Sequence, residues 1–183
     1  LRWRCEMKKI FLIGLILAMA VVASGCGVTR YDIKPEMKSE ILLEKQTKEV
    51  ALTLKYYQPS MIRPLISRDE NTHPNTEQID VGTKFLNRVK EELRNKGFIV
   101  KSNAGINIEV GFAYKKGIIL IHTGVIATRW KVFYKNDPFL EITDFKLLSI
   151  GGFTVGIFTE EKGRQLAQLI VENFNNELEK IEK

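Results

Sequence analysis

Residues 106–114 read INIEVGFAY and contain the most regular alternation in the chain. Counting from the first residue, every second side chain is apolar or aromatic, while Asn107 and Glu109 lie between them. A period of two places the apolar set on one face, so this stretch predicts a strand with one buried side. Lys116 and Gly117 mark its predicted end.

Three further strands are predicted on either side of this one. Residues 125–135 alternate in the same way, with Trp130 on the apolar face. The sequence Asn-Asp-Pro at 136–138 predicts a turn, and residues 139–147 return as the second strand of an antiparallel hairpin. Residues 50–57 predict a half-buried strand earlier in the chain.

Two amphipathic helices are predicted from apolar residues at helical spacing. Asp80 is the expected N-cap of the first helix, which runs to Lys96 before Gly97, and Thr159 is the expected cap of the second. The apolar stripes consist of Val81, Phe85, Leu86, Val89 and Leu93 in the first helix, and of Leu166, Leu169, Ile170, Phe174, Leu178 and Ile181 in the second.

The resulting order is strand, helix, three strands, helix. This order predicts an α+β fold with a mostly antiparallel sheet of about four strands and two amphipathic helices on one face. Residues 58–78 contain three prolines and are predicted to be a long loop, either disordered or acting as a lid.

The N-terminal residues have the pattern of an export signal. Lys8 and Lys9 precede fourteen uninterrupted apolar residues at 10–23. As a helix this run measures about 21 Å, which is short against a hydrocarbon core of about 30 Å. Such a charged, then apolar, then small-residue pattern is typical of a cleaved signal peptide. Met7 is a suitable initiator, so residues 1–6 are expected to be an extension from a start assigned too early.

The segment Ala23-Ser24-Gly25-Cys26 resembles the lipobox of bacterial lipoproteins, with alanine where the usual leucine stands. The resemblance implies a diacylglyceryl group on the Cys26 sulfur, cleavage after Gly25, and acylation of the new amine. More than one acyl chain would give stable anchoring. The residues alone leave open a plain signal peptide or an uncleaved anchor helix. The absence of aspartate after Cys26 favours the outer membrane facing the periplasm, if the organism has one.

These features divide the chain into a signal peptide (1–25), a lipidated cysteine with a polar tether (26–49), which can include a short helical piece at 37–45, and a single domain (50–183). The first 25 residues hold four cations and one anion, so half of the formal net charge of +6 leaves with them. Nucleic acid is therefore not an expected partner.

Residues with catalytic or metal-binding patterns are few. His73 and His122 are far apart in the sequence, and Ser149 lacks a nucleophile-elbow motif. With Cys5 removed and Cys26 acylated, no cysteine remains for a disulfide or a metal. The prediction is a protein that is not an enzyme and has no cofactor and no metal. Arg129, Lys131 and Lys135 are either a basic stripe for lipid phosphates or, as we favour, a solvated sheet face.

Two apolar, glycine-containing stretches do not alternate and do not resemble solvated loops. They are either buried core segments or a contact edge for a partner or membrane, since contiguous exposed apolar residues usually mark such an edge. The candidate contact residues are Ile118, Ile119, Leu120 and Ile121, together with Ile150, Phe153, Val155, Ile157 and Phe158.

In layout, the domain resembles small α/β envelope lipoproteins of the lipopolysaccharide-assembly and curli-secretion accessory type. The resemblance lies in the helix at 85–97, the strand at 106–114, the hairpin around residue 136 and the last helix at 167–178. It implies a lipid-anchored envelope protein that binds a protein partner without catalysis. The alternative is a module that binds an envelope lipid or small ligand and assists transport.

The lipobox generates the first test. Replacement of Cys26 by alanine (Cys26→Ala) removes the sulfur that takes the lipid, so the variant should remain an uncleaved or soluble precursor. Metabolic labelling with a tagged fatty acid should mark only the wild-type chain, and equal labelling of the variant would contradict the assignment.

Overall fold

A mixed sheet of seven strands forms the centre of the fold in the computed structural model, which describes residues 27–59, 66–115, 125–147 and 160–181. The strands are β1 (Gly27–Arg30), β2 (Glu49–Pro59), β3 (Ile66–Glu70), β4 (Ile99–Lys101), β5 (Ile106–Lys115), β6 (Val125–Tyr134) and β7 (Asp137–Leu147). The helices are α1 (Pro35–Thr47), α2 (Thr76–Asn95) and α3 (Glu160–Ile181).

The strand order is β1-β7-β6-β5-β2-β3, and β4 also pairs with β2. β2 runs parallel to β5, with Val50 opposite Ile106 and Tyr56 opposite Phe112. The prediction of a mostly antiparallel sheet of about four strands with two helices is therefore wrong. β2 is parallel to β5 because the chain returns through β3 and α2 before β5 begins. β1 and β3 are too short to show a recognisable alternation, whereas residues 98–100 can start a strand and the structure has β4 there.

The predicted hairpin is confirmed, but its turn lies earlier than the predicted Asn-Asp-Pro turn at 136–138, because Asp137 and Pro138 belong to β7. Tyr134 lies opposite Asp137, so the turn residues are Lys135 and Asn136. Their φ angles are 47° and 76°. Two positive φ angles are the requirement of the two-residue turn whose twist matches that of paired strands.

α2 begins earlier than predicted, at Thr76 rather than after Asp80. Asn75 is the N-cap. Its side-chain oxygen accepts a hydrogen bond from the backbone N–H of Gln78 at 2.8 Å, and the Gln78 side-chain oxygen accepts one from the backbone N–H of Asn75 at 3.0 Å. This reciprocal pair is a capping box, which fixes the first turn. At the other end Gly97 has a φ of 83°, as expected for a glycine that ends a helix.

α2 and α3 pack against each other and against the same face of the sheet. The Phe85 ring stacks on Phe112 at 5.3 Å between centroids, and Phe174 contacts Trp130 at 5.9 Å. α2 lies directly against the sheet at Gly82, where an added Cβ would lie 2.7 Å from the Tyr56 ring. The predicted stripes are buried except for Leu86, which is half-buried, and Leu169, which is 42% exposed.

The predicted loop at 58–78 is partly strand. β2 continues to Pro59, and β3 pairs antiparallel with it, Tyr57 lying opposite Glu70. Ile66 of β3 is buried against Tyr57 and two small residues of the sheet, Ala113 and Ala127. The lid interpretation missed this hairpin, because its short second strand is polar.

The stretch assigned to the tether contains β1 and α1. The four residues of β1 pair with β7, from Gly27 opposite Thr143 to Arg30 opposite Leu140. α1 has no amphipathic pattern, yet Ile41 is fully buried in the main core. Glu40 accepts a hydrogen bond from Tyr134 at 3.0 Å and pairs with Lys135 at 2.6 Å, which ties α1 to the hairpin turn.

The helix–sheet core predicts the effect of truncating its side chains. Leu93→Ala and Phe174→Ala should each lower the free energy of unfolding by about 2–5 kcal/mol, because both residues are fully buried. Leu169→Ala is the matched control, and its effect should stay below about 1 kcal/mol since the side chain is 42% exposed. Chemical unfolding of a soluble form that begins at Gly27 measures all three. Equal effects at Phe174 and Leu169 would contradict the packing.

Candidate functional site

The residues predicted for lipidation and partner contact lie outside the described part of the chain. These residues are Gly25 and Cys26 at the signal cleavage site, Ile118–Ile121, and Ile150, Phe153, Val155, Ile157 and Phe158. The residues that flank the two apolar stretches are described, and they are neighbours. Lys115 lies opposite Val125, and Val125 lies opposite Leu147. β5 and β7 therefore finish at the same end of the sheet, on either side of the first residue of β6.

The face of the sheet opposite α2 and α3, which we call the open face, carries a polar network. Lys55 Nζ lies 2.9 Å from Glu109 Oε2 and 3.4 Å from Glu70 Oε2. The Tyr57 hydroxyl donates to Glu109 Oε1 at 3.2 Å. Glu109 is the centre of this network, and its side chain is only 16% exposed. Charge pairs that are shielded to this extent are stronger than those in free solvent.

Tyr57 lies flat on the open face because its neighbour on β5 has no side chain. A Cβ added at Gly111 would lie 3.0 Å from the Tyr57 ring and 3.0 Å from the Arg129 carbonyl oxygen. The Arg129 guanidinium carbon lies 4.8 Å from the centre of the same ring. This is the geometry of a cation–π contact, so Tyr57 is held between Gly111 and a cation.

The same contacts shift the protonation equilibria of the network. Burial and then the nearby Glu109 carboxylate raise the pKa of Tyr57 above its ordinary value. The hydrogen bond to Glu109 raises the pKa of Lys55, although partial burial opposes it. At neutral pH Tyr57 is therefore a neutral donor and Lys55 a cation.

The predicted stripe of Arg129, Lys131 and Lys135 is not a free basic surface. The Arg129 guanidinium lies over the Tyr57 ring. Lys131 of β6 is directly opposite Glu109 of β5 on one side and Glu141 of β7 on the other. Lys135 is in the hairpin turn and pairs with Glu40, whose pKa is lowered first by that contact and then by Tyr134. The Glu40 carboxylate that pairs with Lys135 comes from α1, and the two glutamates that flank Lys131 in register come from β5 and β7.

The sequence indicated none of the partners in this network. Lys55 and Glu109 lie on the polar positions of strands that were predicted separately, and nothing in their spacing shows that β2 and β5 are parallel neighbours. The only available signal was Gly111, because a glycine inside a strand often marks the close approach of another group.

A second feature is a groove of about 680 Å³ at the end of the fold where α1 and α3 finish. Its wall contains the buried Glu177, which pairs with Lys180 one turn further along α3. The lining is polar apart from one aromatic ring, so it does not resemble a lipid pocket. The lining residues are Lys45, Lys48, Phe98, Asn173, Asn175, Asn176, Glu177, Glu179 and Lys180.

Metal chemistry finds no support in the described residues. Within 27–59, 66–115, 125–147 and 160–181, no group of three or more His, Cys, Asp or Glu side chains could hold a metal ion. His73 is exposed and contacts Thr72 at 2.9 Å, and His122 is outside the described residues. Of the three described helices, none is long and apolar enough to cross a membrane.

Comparisons with known proteins describe the fold only. No protein-family model matches the chain, and no curated protein matches its sequence. The PelC dodecamer from Paraburkholderia phytofirmans is similar in structure, with a TM-score of 0.48 and 10% identity over 80% of this chain and 94% of that one. A PDZ domain protein from Parabacteroides distasonis gives a TM-score of 0.44 and 9% identity over 79% of this chain and 34% of that one. At these scores neither likeness supports an argument about function.

The network on the open face predicts that neutralising Glu109 destabilises the fold more than neutralising the exposed carboxylate of Asp80. Glu109→Gln removes the charge that Lys55 and Tyr57 share, so it should lower the free energy of unfolding by about 1–2 kcal/mol at pH 7. Asp80→Asn is the control: its pair with Lys84 is exposed on α2, and its loss should cost less than about 0.5 kcal/mol. Denaturant titration compares the two. Equal and small effects would mean that the open-face network is an ordinary solvated surface.

Proposed function

We propose that this chain is a lipid-anchored envelope protein that binds another envelope protein and catalyses no reaction. The lipobox-like segment ending at Cys26 supports the anchor, and the short apolar run before it supports export. Envelope location, with the domain facing the periplasm from an outer membrane where one exists, follows from those two features.

The observation that carries the partner-binding part is the register at one end of the sheet. Lys115, Val125 and Leu147 lie at the same end of the three consecutive strands β5, β6 and β7, so the segments 116–124 and 148–159 are attached to the same end of the sheet. Each contains an apolar run, Ile118–Ile121 in one and residues 150–158 in the other. Two apolar runs that start from the same end of a sheet can supply one contact surface, which neither would provide alone.

The open face supports the same role. Lys55 on this face is paired with Glu109 and Glu70, and Arg129 lies over the Tyr57 ring, so these two cations already have partners within the domain. Such a surface suits a protein neighbour better than an anionic polymer, for which an excess of unpaired cations is needed. The alternative, a carrier of a lipid or small ligand, is not supported by the groove where α1 and α3 finish, because the lining of that groove is polar apart from Phe98.

The test replaces one residue in each apolar run. Ile119→Asp combined with Phe153→Asp should abolish partner capture by crosslinking in intact cells while the melting temperature stays within about 2 °C of wild type. Leu43→Asp is the matched control: Leu43 is 63% exposed on α1, at the opposite end of the sheet, so the same chemical change there should leave capture intact.

Two results would contradict the proposal. If the double variant fails to fold, the two residues belong to the core, because burying unpaired carboxylates is far more costly than exposing them. If the double variant folds and captures the same partner as wild type, the contact surface lies elsewhere.

A further inference from the structure

β1 begins at Gly27, the residue directly after Cys26. All four residues of β1 are paired with β7: Gly27 with Thr143, Val28 with Ile142, Thr29 with Glu141 and Arg30 with Leu140. The position predicted to carry lipid is therefore adjacent to a residue already fixed in the sheet. Between the two positions there is one peptide link, or about 3.8 Å between Cα atoms.

β1 is also held at its other end. The Tyr31 backbone N–H donates to the Phe139 carbonyl oxygen at 3.4 Å, and the Tyr31 hydroxyl donates to Glu141 Oε2 at 3.4 Å. Ile33 packs against the core, and α1 follows with Ile41 fully buried. Each of these contacts ties the segment to the domain, so β1 is not a loosely attached end.

Given the lipidation of the proposed function, on which this step rests, we infer that the domain is attached to the bilayer without a spacer and that the β1 edge of the sheet faces the lipid headgroups. A flexible tether of about 20 residues would let the domain move about 25 Å from its anchor. A single peptide link to a paired strand leaves no such freedom, so the anchor sets the orientation of the domain as well as its location.

The exposed side chains beside this edge suit a headgroup layer. Arg30 is exposed at the end of β1, and Tyr31 next to it is 38% exposed. A guanidinium group binds lipid phosphates, and a tyrosine places its ring and hydroxyl across a boundary between apolar and aqueous surroundings. Arg30 is four residues after the position predicted to carry lipid, at the end of β1, and Tyr31 is the next residue.

β4 lies at the opposite edge of the sheet. It pairs with β2, and the order β1-β7-β6-β5-β2 places five strand spacings between β1 and β4. At about 4.8 Å per spacing this separation is about 24 Å. A probe on β1 and a probe on β4 therefore report different distances from the bilayer if the orientation is fixed.

The experiment places one fluorophore on each edge of the full lipidated protein. Cys5 and Cys26 are the only cysteines, and neither keeps a free thiol after processing, so Thr29→Cys and Ile99→Cys each create one labelling site. Both original side chains are exposed, Ile99 by 50%. The labelled proteins are reconstituted in vesicles of phosphatidylethanolamine and phosphatidylglycerol that contain a lipid with a quencher in its headgroup region. Quenching should be at least twofold stronger for the probe at position 29.

A spacer variant tests whether the difference in quenching comes from the direct attachment of β1 to the lipidated cysteine. Insertion of ten glycine and serine residues between Cys26 and Gly27 adds a mean reach of about 17 Å, so the difference between the two probes should disappear. Equal quenching without the spacer overturns the inference, and so does a difference that survives the spacer, because the orientation would then come from another contact.

Flotation with the vesicles and fatty-acid labelling are measured first. A chain that takes no lipid and does not float contradicts the proposed function and removes the basis of the inference with it. A chain that carries lipid and floats, but shows equal quenching at both positions, overturns only the inference.

Discussion

The parallel pairing of β2 with β5 is the constraint on which the rest of the structure depends. Seven residues of β2, from Val50 to Tyr56, are in register with Ile106 to Phe112. Two parallel neighbours require a connection that crosses from one end of the sheet to the other, and β3 and α2 provide it. That crossing places α2 against the sheet, where α3 joins it, and it brings β3 and β4 to the free edge of β2. The same pairing brings Lys55 and Tyr57 of β2 next to Glu109, so it creates the open-face network as well.

The sequence predicts those elements whose information is local. The alternation at 106–114, the hairpin around Asn136 and the terminal Gly97 match the structure, and so do the stripes of α2 and α3 apart from Leu86 and Leu169, because period and turn chemistry act over a few residues. The parallel register could not be read in this way, since it pairs residues that are far apart in the chain, such as Val50 and Ile106. β1 was missed because four residues show no period, and α1 was expected only as a short helical piece of the tether because it has almost no amphipathic pattern, although Ile41 is fully buried.

The candidate sites also differ in whether they depend on local sequence or on the pairing of distant strands. The lipobox is a contiguous motif and can be recognised from four residues. The open-face network joins β2, β3, β5 and β6, so its members become neighbours only when the strand order is known. The basic stripe illustrates the difference: its three cations look unpaired in the sequence, but Glu40 of α1 pairs with Lys135, and Glu109 and Glu141 are the cross-strand neighbours of Lys131.

Gly82 has a consequence for which sequences this fold can accept. Glycine within a helix costs about 1 kcal/mol relative to alanine, so alanine would be expected there if helix propensity alone mattered. The Tyr56 ring occupies the space that a Cβ would need, and the Tyr56 hydroxyl contacts the Ile79 carbonyl oxygen one turn earlier in α2 at 3.4 Å. A larger residue at position 82 is therefore compatible only with a smaller one at position 56, and the two positions should vary together as the sequence drifts.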